Sequence, residues 1–291
     1  MQSQKSKAKL FKELHHRGKT LVLPNIWDPL GAALLQSLGY PAIATASASV
    51  AFTNGYDDGE HIPFKDVLML LSKITASVDL PVTADIESGY SRTQTDLQKN
   101  IELLLGTGIV GINFEDYDKQ TESLFPLEVQ CERIGLIRKI SEAFDVPLFI
   151  NARTDVYLRG KVFITEEEKL SETIRRGKAY IEAGAGGVFA PAMKIKDDLE
   201  KLIAALKCPV NVIALPGIPD IKSLQQIGVA RLSLGPGFLK VAIKAMKDLA
   251  IKLKNHEGLD EVLENDITTT ELRNLVLKKR PLPSRAQFFH W

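Results

Sequence analysis

Cysteine is scarce in this chain: there are two, Cys131 and Cys208, in 291 residues. A disulfide framework is therefore excluded as the main source of stability, and a reducing, cytoplasmic setting is expected. No apolar run reaches the ~18 residues needed to span a bilayer, so no membrane segment is expected. The opening stretch MQSQKSKAKLFKELHHRGK lacks the apolar core of a signal peptide, so none is expected. Charge of one sign is also missing. Lys and Arg number 37 against 36 Asp and Glu, for a net charge of +1, and no strong field favours nucleic acid or an anionic membrane. There is no low-complexity segment, and the make-up is that of a globular protein, 45% hydrophobic and 25% charged.

What is present is a recurring unit. A helix-patterned stretch ends near Gly or Asp, a short apolar run follows, and polar residues close it. The runs are TLVLP (20–24), AIATA (42–46), PVTAD (81–85), VGINF (110–114), PLFIN (147–151), GGVFA (186–190), VNVIA (210–214) and ARLSL (230–234). They are short and do not alternate, as expected of parallel strands buried on both faces. Helical patterns lie between them, at about 29–38, 64–77, 93–105, 127–143, 166–183, 196–206 and 219–227, with a last one at about 237–254. Strand–helix units repeated in this way predict an α/β fold, a single-domain (β/α)8 TIM barrel over residues 1–255 with a short N-terminal helix at about 6–17. Residues 256–291 form a C-terminal helical extension, with a helix at about 269–279 and then PLPSRAQFFHW. Two Phe and a Trp in that tail predict packing on the barrel or on a partner subunit. A doubly wound sheet is the rival fold. It usually carries a Gly-rich first turn, whereas Pro24-Asn25-Ile26-Trp27-Asp28 has no GxGxxG.

Barrel enzymes carry their chemistry at the C-terminal ends of the strands. Here those ends bring Asn25 and Asp28, Ser47 and Ser49, Asp85 and Glu87, Glu115 and Asp116, then Arg153 and Asp155. Asp85 and Glu87 share a face if the strand continues through them. With Glu115 on the next strand, three carboxylates converge and repel unless a cation joins them. A hard divalent ion would relieve that conflict, and oxygen-only ligands favour Mg2+ or Mn2+ over Zn2+. The alternative, that these acids cap loops or pair with lysines, stays open. Arg153 suits a carboxylate, which its fork can bind bidentately, or it forms a structural pair with Asp155. Ser233-Leu234-Gly235-Pro236-Gly237 is either a phosphate loop or a turn that starts a helix. Leu127, Cys131 and Ile134 fall on one apolar helix face, which reads Cys131 as a buried hydrophobe rather than a nucleophile.

The stretches LPNIWDPLGA, SVAFTNGYDDGE, PVTADIESGYS, GINFEDYD, INARTDVY and ARLSLGPG, in this order from about Leu21 to Gly237, resemble the isocitrate lyase/phosphoenolpyruvate mutase superfamily. The resemblance implies a Mg2+ site, a small-molecule carboxylate substrate bound through a 2-oxo or 2-hydroxy carboxylate, and a homodimer or homotetramer that exchanges a C-terminal helix. By position it implies Asp85 as direct metal ligand, with Asp58, Glu87 and Glu115 as partners mostly through water. Arg153 resembles the substrate-carboxylate arginine, and Arg153, Asp58 and Glu115 are the residues expected to carry the chemistry. Ser47-Ala48 resembles the loop that holds the other end of the substrate, and Asn211 a substrate-side asparagine. The lyases of that superfamily carry a Lys-Lys/Arg-Cys-Gly-His loop after the fourth strand. Here the loop reads Asp116-Tyr117-Asp118-Lys119-Gln120-Thr121-Glu122-Ser123-Leu124-Phe125, without cysteine. The resulting expectation is a Mg2+-dependent C–C lyase or decarboxylase working through an enolate, with an oxaloacetate-like substrate favoured. Tyr56, Tyr90 and Tyr117 are its candidate proton donors. A C–P bond enzyme and a non-catalytic 2-oxo acid binding protein are the alternatives.

Overall fold

Short apolar runs with no polar face can form strands only where both faces are covered. The computed structural model, which describes residues 3–163 and 165–277, puts all eight runs into one parallel sheet. The chain begins with α1 (Gln4–Leu14), β1 (Leu21–Leu23), β2 (Asn25–Ile26), α2 (Pro29–Ser37), β3 (Ile43–Thr45), α3 (Ser47–Thr53), α4 (Phe64–Ser77) and β4 (Val82–Asp85). It continues through α5 (Gln94–Gly106), β5 (Gly111–Glu115), β6 (Tyr117–Asp118), β7 (Ser123–Leu124), α6 (Leu127–Ala143), β8 (Phe149–Arg153), α7 (Val156–Arg159) and α8 (Glu166–Glu182). Last come β9 (Gly187–Phe189), α9 (Lys196–Leu206), β10 (Val210–Ile213), α10 (Ile221–Gln226), β11 (Arg231–Ser233), α11 (Gly237–Lys254), α12 (Leu259–Leu263) and α13 (Thr269–Leu277).

The sheet runs β1-β11-β10-β9-β8-β5-β4-β3-β2. Its two ends are one stretch of chain, broken at Pro24, which has no N–H to give to a ladder. β1 pairs with β11 through Leu21 and Arg231, and β2 pairs with β3 through Asn25 and Ala44, so the ring closes as eight staves. Asn25 fastens the seam. Its Oδ1 accepts from the N–H groups of Leu234 (2.8 Å) and Gly235 (3.0 Å), and its Nδ2 donates to the Thr45 carbonyl at 2.7 Å. Those bonds occupy the N–H groups that a phosphate loop would offer, and α11 begins at Gly237, so this segment is a helix-starting turn.

One end of the barrel is plugged. Helix α1 lays Phe11 edge-on against Phe149, with ring centroids 5.6 Å apart, and His15 stacks on Phe149 at 4.0 Å. Gly111 makes room for this: a Cβ there would lie 2.7 Å from the Phe11 ring and 2.9 Å from Thr83 Oγ1. Phe149 and Gly111 are the first residues of their strands, so the plug covers the N-terminal ends and leaves the C-terminal ends for a site.

The structure adds elements that periodicity does not reveal. Helix α3 is Ser-Ala-Ser-Val-Ala-Phe-Thr, poor in helix formers, so tertiary context decides it. The β6–β7 hairpin and the one-turn helix α7 are too short to carry a period. At the other end of the chain, α11 buries only Leu239, while Val241, Ile243 and Met246 are more than half exposed. Helix α13 lies against α2 yet buries no residue. The tail PLPSRAQFFHW lies outside the described residues.

Candidate metal and carboxylate site

Strand β4 ends at Asp85, and the chain then turns left-handed. Glu87 has φ +51°, Tyr90 +52° and, facing them, Glu60 +63°, a region that residues with side chains enter at a cost. The expectation that Asp85 and Glu87 share a face through strand alternation is therefore corrected: the turn, not the strand, brings Glu87 in. Gly89 (φ +92°) is needed in that turn, because a Cβ would meet Leu97 at 2.9 Å and Phe114 at 3.1 Å. The turn is laced to its neighbour, the Glu115 N–H donating to the Glu87 carbonyl at 2.9 Å. The Glu87 N–H in turn donates to Asp85 Oδ1 at 3.2 Å.

Two side-chain cations stand among these acids. Lys119, from the β6–β7 hairpin, places its Nζ 2.5 Å from Glu87 Oε2, 3.6 Å from Glu60 Oε1 and 3.9 Å from Glu115 Oε1. Arg153, at the end of β8, reaches Glu115 Oε2 with Nη1 at 3.0 Å and grips Asp155 with Nε and Nη2 at 2.6 and 2.8 Å. The repulsion that the sequence argument gave to a metal ion is thus relieved by Lys119 and Arg153. With these cations interleaved, no group of three or more His, Cys, Asp or Glu side chains among the described residues is set to hold a metal as it stands.

Desolvation dominates the electrostatics. Burial pushes the Glu87 carboxyl up to about 7, against the pull of Lys119. It also raises Glu115, with Arg153 the chief opposing influence, and raises Asp85, again opposed by Arg153. Asp85 has no cation in contact; Asn113 Nδ2 lies 3.4 Å from its Oδ2. Buried carboxylates this costly to ionise call for positive charge nearby. The donors are all oxygens, and the Lys119 ammonium sits among Glu60, Glu87 and Glu115, so the chemistry of the donor set suits a hard cation.

The other expected site residues divide. Asp58 is exposed; it donates its N–H to Asp57 and acts on Asp85 and Glu87 as a negative charge rather than by contact. Ser47 and Ala48 open α3, where first-turn N–H groups have no acceptor within the helix. Ser47 lines a narrow cleft with Thr45, Ile62, Asp85 and Tyr90. Asn211 is buried in the barrel, its Nδ2 3.1 Å from Ser233 Oγ, so its amide is engaged by the protein. The fork of Arg153 is spent on Asp155, the structural pairing that the sequence reading left open. Of the three tyrosines, Tyr90 faces the acids, its hydroxyl 3.5 Å from Glu87 Oε1. Tyr117 packs under the Arg159 guanidinium, and Tyr56 is exposed. Cys131 is half-buried against the core beside Leu127 and Ile134, and burial raises its thiol pKa.

Sequence reasoning missed three groups. Glu60 fastens the Glu87 turn: its Oε1 accepts from Ser88 N (3.0 Å), Ser88 Oγ (2.7 Å) and Tyr90 N (3.0 Å), and its N–H donates to Glu87 Oε1 at 2.8 Å. Its place in Asp57-Asp58-Gly59-Glu60 was a signal. Arg176 braces the site from behind. With Tyr180 it holds the fully buried Asp116, which also accepts from the Asp155 N–H at 2.8 Å. Its spacing from Leu170, Thr173 and Tyr180 on the inner face of α8 could have disclosed it. Arg231 is fully buried, and none of its three side-chain nitrogens has a partner among the described residues.

The fold and site are those of a (β/α)8 barrel with buried carboxylates and an arginine at its strand ends. Residues 11–254 match the phosphoenolpyruvate phosphomutase family, and the chain belongs to that family, within the isocitrate lyase/phosphoenolpyruvate mutase superfamily. It is 34% identical over 225 residues to an uncharacterised protein of Mycobacterium tuberculosis, covering 77% of this chain and 81% of that one. It is 29% identical to the oxaloacetate decarboxylase of Pseudomonas entomophila over 90% of this chain and 88% of that one. Its fold matches a phosphonopyruvate hydrolase solved with oxalate and Mg2+, with a TM-score of 0.80 at 20% identity over 92% of this chain and 94% of the other.

Proposed function

We propose that this chain is a Mg2+-dependent C–C bond lyase or decarboxylase of a small 2-oxo or 2-hydroxy carboxylate, with an oxaloacetate-like substrate. The observation that carries this reading is the set of oxygen-only acids at neighbouring strand ends, Asp85, Glu87 and Glu115, with Lys119 against Glu87 and Arg153 against Glu115. The likeness to an oxaloacetate decarboxylase and to a hydrolase solved with Mg2+ and oxalate supports it. A bound Mg2+ would supply the positive charge that stabilises the enolate left when the C–C bond breaks.

The chain's own residues do the rest. Asp155 fixes the plane of Arg153 through Nε and Nη2, and Nη1 passes from Glu115 to the substrate carboxylate. The Ser47 and Ala48 N–H groups hold the opposite end, and Asp58 sits at the rim as an outer partner of the cation. The distal carboxylate, borne by the carbon next to the 2-oxo group, leaves as CO2; the pair of the broken C–C bond stays on that carbon as the enolate, and a proton returns there. Tyr90 is placed to hold that proton at Oη. No thiol is needed for this, in keeping with a loop that has no cysteine.

A screen of 2-oxo and 2-hydroxy acids and phosphonopyruvate, with and without Mg2+, tests the proposal. Metal-dependent release of pyruvate and CO2 from oxaloacetate is expected. Turnover of phosphonopyruvate alone would move the chain to C–P chemistry. Ligand-induced thermal stabilisation without any turnover would make it a 2-oxo acid binding protein.

The exposed apolar residues of α11 support a homodimer or homotetramer. A monomer mass by light scattering at micromolar concentration would refute that. Low cysteine content supports a cytoplasmic setting. No helix among the described residues is long and apolar enough to cross a membrane.

A further inference from the structure

Arg159 ends the one-turn helix α7, one turn past Asp155, to whose carbonyl its N–H donates at 2.7 Å. Gly160 lets the chain double back directly after it, since a Cβ there would meet the Phe163 ring at 2.8 Å. Two contacts fix the Arg159 guanidinium. Its Nε lies 3.6 Å from Asp155 Oδ2, and its Cζ stands 4.2 Å from the centre of the Tyr117 ring. The buried Asp155 carboxylate is thus shared by two arginines, since its Oδ1 accepts from Arg153 Nε at 2.6 Å. Tyr117 and Lys119 stand two apart in one arm of the hairpin, so they share a face, and from that face Lys119 crosses the mouth to Glu87. Asp118 between them turns the other way, accepting from the Gln120 N–H and Thr121 Oγ1 at the tip. Stacked on Tyr117, Arg159 therefore lies on the mouth side of the hairpin, at the rim, with its side chain half exposed. Among the described residues neither of its Nη groups has an acceptor.

We propose that Arg159 is a second carboxylate receptor, set at the rim beside Arg153, that draws the anionic substrate into the mouth. The inference rests on the reading above that the substrate is a small 2-oxo or 2-hydroxy carboxylate. The mouth itself has its cations engaged. Lys119 is held by Glu87, and Arg153 gives Nε and Nη2 to Asp155 and Nη1 to Glu115. A carboxylate that approaches these acids is repelled until it finds a cation with donors to offer. Arg159 offers two, on a guanidinium whose orientation is already fixed by Asp155 and Tyr117. Asp155 is the shared brace: it orients both forks, so a carboxylate on the Nη groups of Arg159 has Arg153 as its next donor. The substrate carboxylate is held at the rim while Arg153 Nη1 changes partner from Glu115. No covalent bond changes, and the part played by Arg159 is in binding rather than in the bond-breaking step.

The test uses the full-length protein with Mg2+, and compares the parent chain with Arg159→Gln, Arg159→Lys and Lys161→Gln, each checked for its fold by circular dichroism. Lys161 is an exposed cation two residues further on and serves as the control. Oxaloacetate turnover is measured from about 20 to 300 mM NaCl, a range over which exposed charges become screened. Arg159→Gln should lower kcat/KM about tenfold at low salt, through KM, with kcat within about twofold. The parent should lose kcat/KM as salt rises and Arg159→Gln should lose much less. Arg159→Lys should recover the salt dependence, because it restores the charge, and Lys161→Gln should match the parent. Equal kcat/KM in parent and Arg159→Gln overturns the proposal, as do equal salt slopes, a loss confined to kcat, or an equal loss in Lys161→Gln. Oxalate binding by titration calorimetry separates this inference from the reading beneath it. If the parent binds oxalate about tenfold more tightly than Arg159→Gln but turns over no oxaloacetate, the receptor stands and the lyase reading falls. Equal oxalate affinity in the two overturns the receptor, and a parent that neither binds oxalate nor turns over oxaloacetate overturns both.

Discussion

At the mouth of the barrel, Glu87 and Glu115 are almost wholly buried and each meets a cation, at 2.5 and 3.0 Å. At the floor, Arg231 is fully buried with no such partner among the described residues, and His15 Nε2 is likewise buried without one among them. The His15 ring nitrogen Nδ1 lies 2.8 Å from the Phe11 carbonyl, which can only accept, so Nδ1 carries the proton and Nε2 is left as an acceptor. The two ends therefore handle charge differently. The mouth pairs its charges in a way that another cation can rearrange. The floor holds one charge by packing alone and keeps its neighbour neutral. Burial and the field of Arg231 drive the His15 pKa down to about 3. Burial also lowers Arg231 to about 10, with Asp85 the opposing influence, so this one cation acts on both ends of the barrel.

Breaking the mouth gives the largest effect. Asp85→Ala removes the expected direct ligand, and metal-dependent turnover should fall at least ~100-fold, since even loss of an outer-shell partner costs about 10–100-fold. Metal-linked thermal stabilisation should vanish with the circular dichroism unchanged. Equal metal affinity in parent and variant would put the ion elsewhere.

The floor is tested by acid. His15 folds in its neutral form, with its pKa moved from 6.5 down to about 3. Its contribution is therefore fully present above 6.5 and is lost as pH falls toward about 3. His15→Phe should flatten the acid limb of the stability curve across that window by up to about 1.4 kcal/mol per pH unit. Parallel acid limbs in urea titrations of the two proteins would mean that His15 is not buried neutral.

A smaller effect separates packing from pairing. Arg231→Met keeps most of the volume and discards a buried charge with no partner among the described residues, which removes its desolvation cost. Denaturant midpoints should rise or hold. A loss of about 3 kcal/mol or more would show that the guanidinium has a partner, such as buried water, that makes the floor resemble the mouth.

Least of all should follow from Cys131→Ser. The thiol lies on α6 against the core and touches neither end of the barrel. kcat should stay within about threefold, less than ~1 kcal/mol in barrier. A hundredfold loss with the fold intact would make the chain a thiol-dependent lyase.

The eight staves of the barrel and the helices α1, α2, α4, α5, α6, α8, α9, α10, α11 and α13 could be read from apolar runs and their spacing, because a buried parallel strand and an amphipathic helix each leave a local signature. Asp85, Glu115 and Arg153 could be placed because strand ends in a barrel converge whatever the loops do. The ring of eight staves, a helix ahead of it and the oxygen character of its mouth were thus legible in residue order alone.

The tertiary structure decided what each charge meets. Glu87 enters through a left-handed turn rather than along a strand, Glu60 locks that turn, and Lys119 crosses the mouth from a hairpin with two-residue strands. Arg231 stands in ARLSL as one charged residue in an apolar run, and only closure of the barrel shows that its parity points inward with Asn211 and Ser233. Pairing and desolvation depend on distances between segments far apart in the chain, and no local period carries those distances.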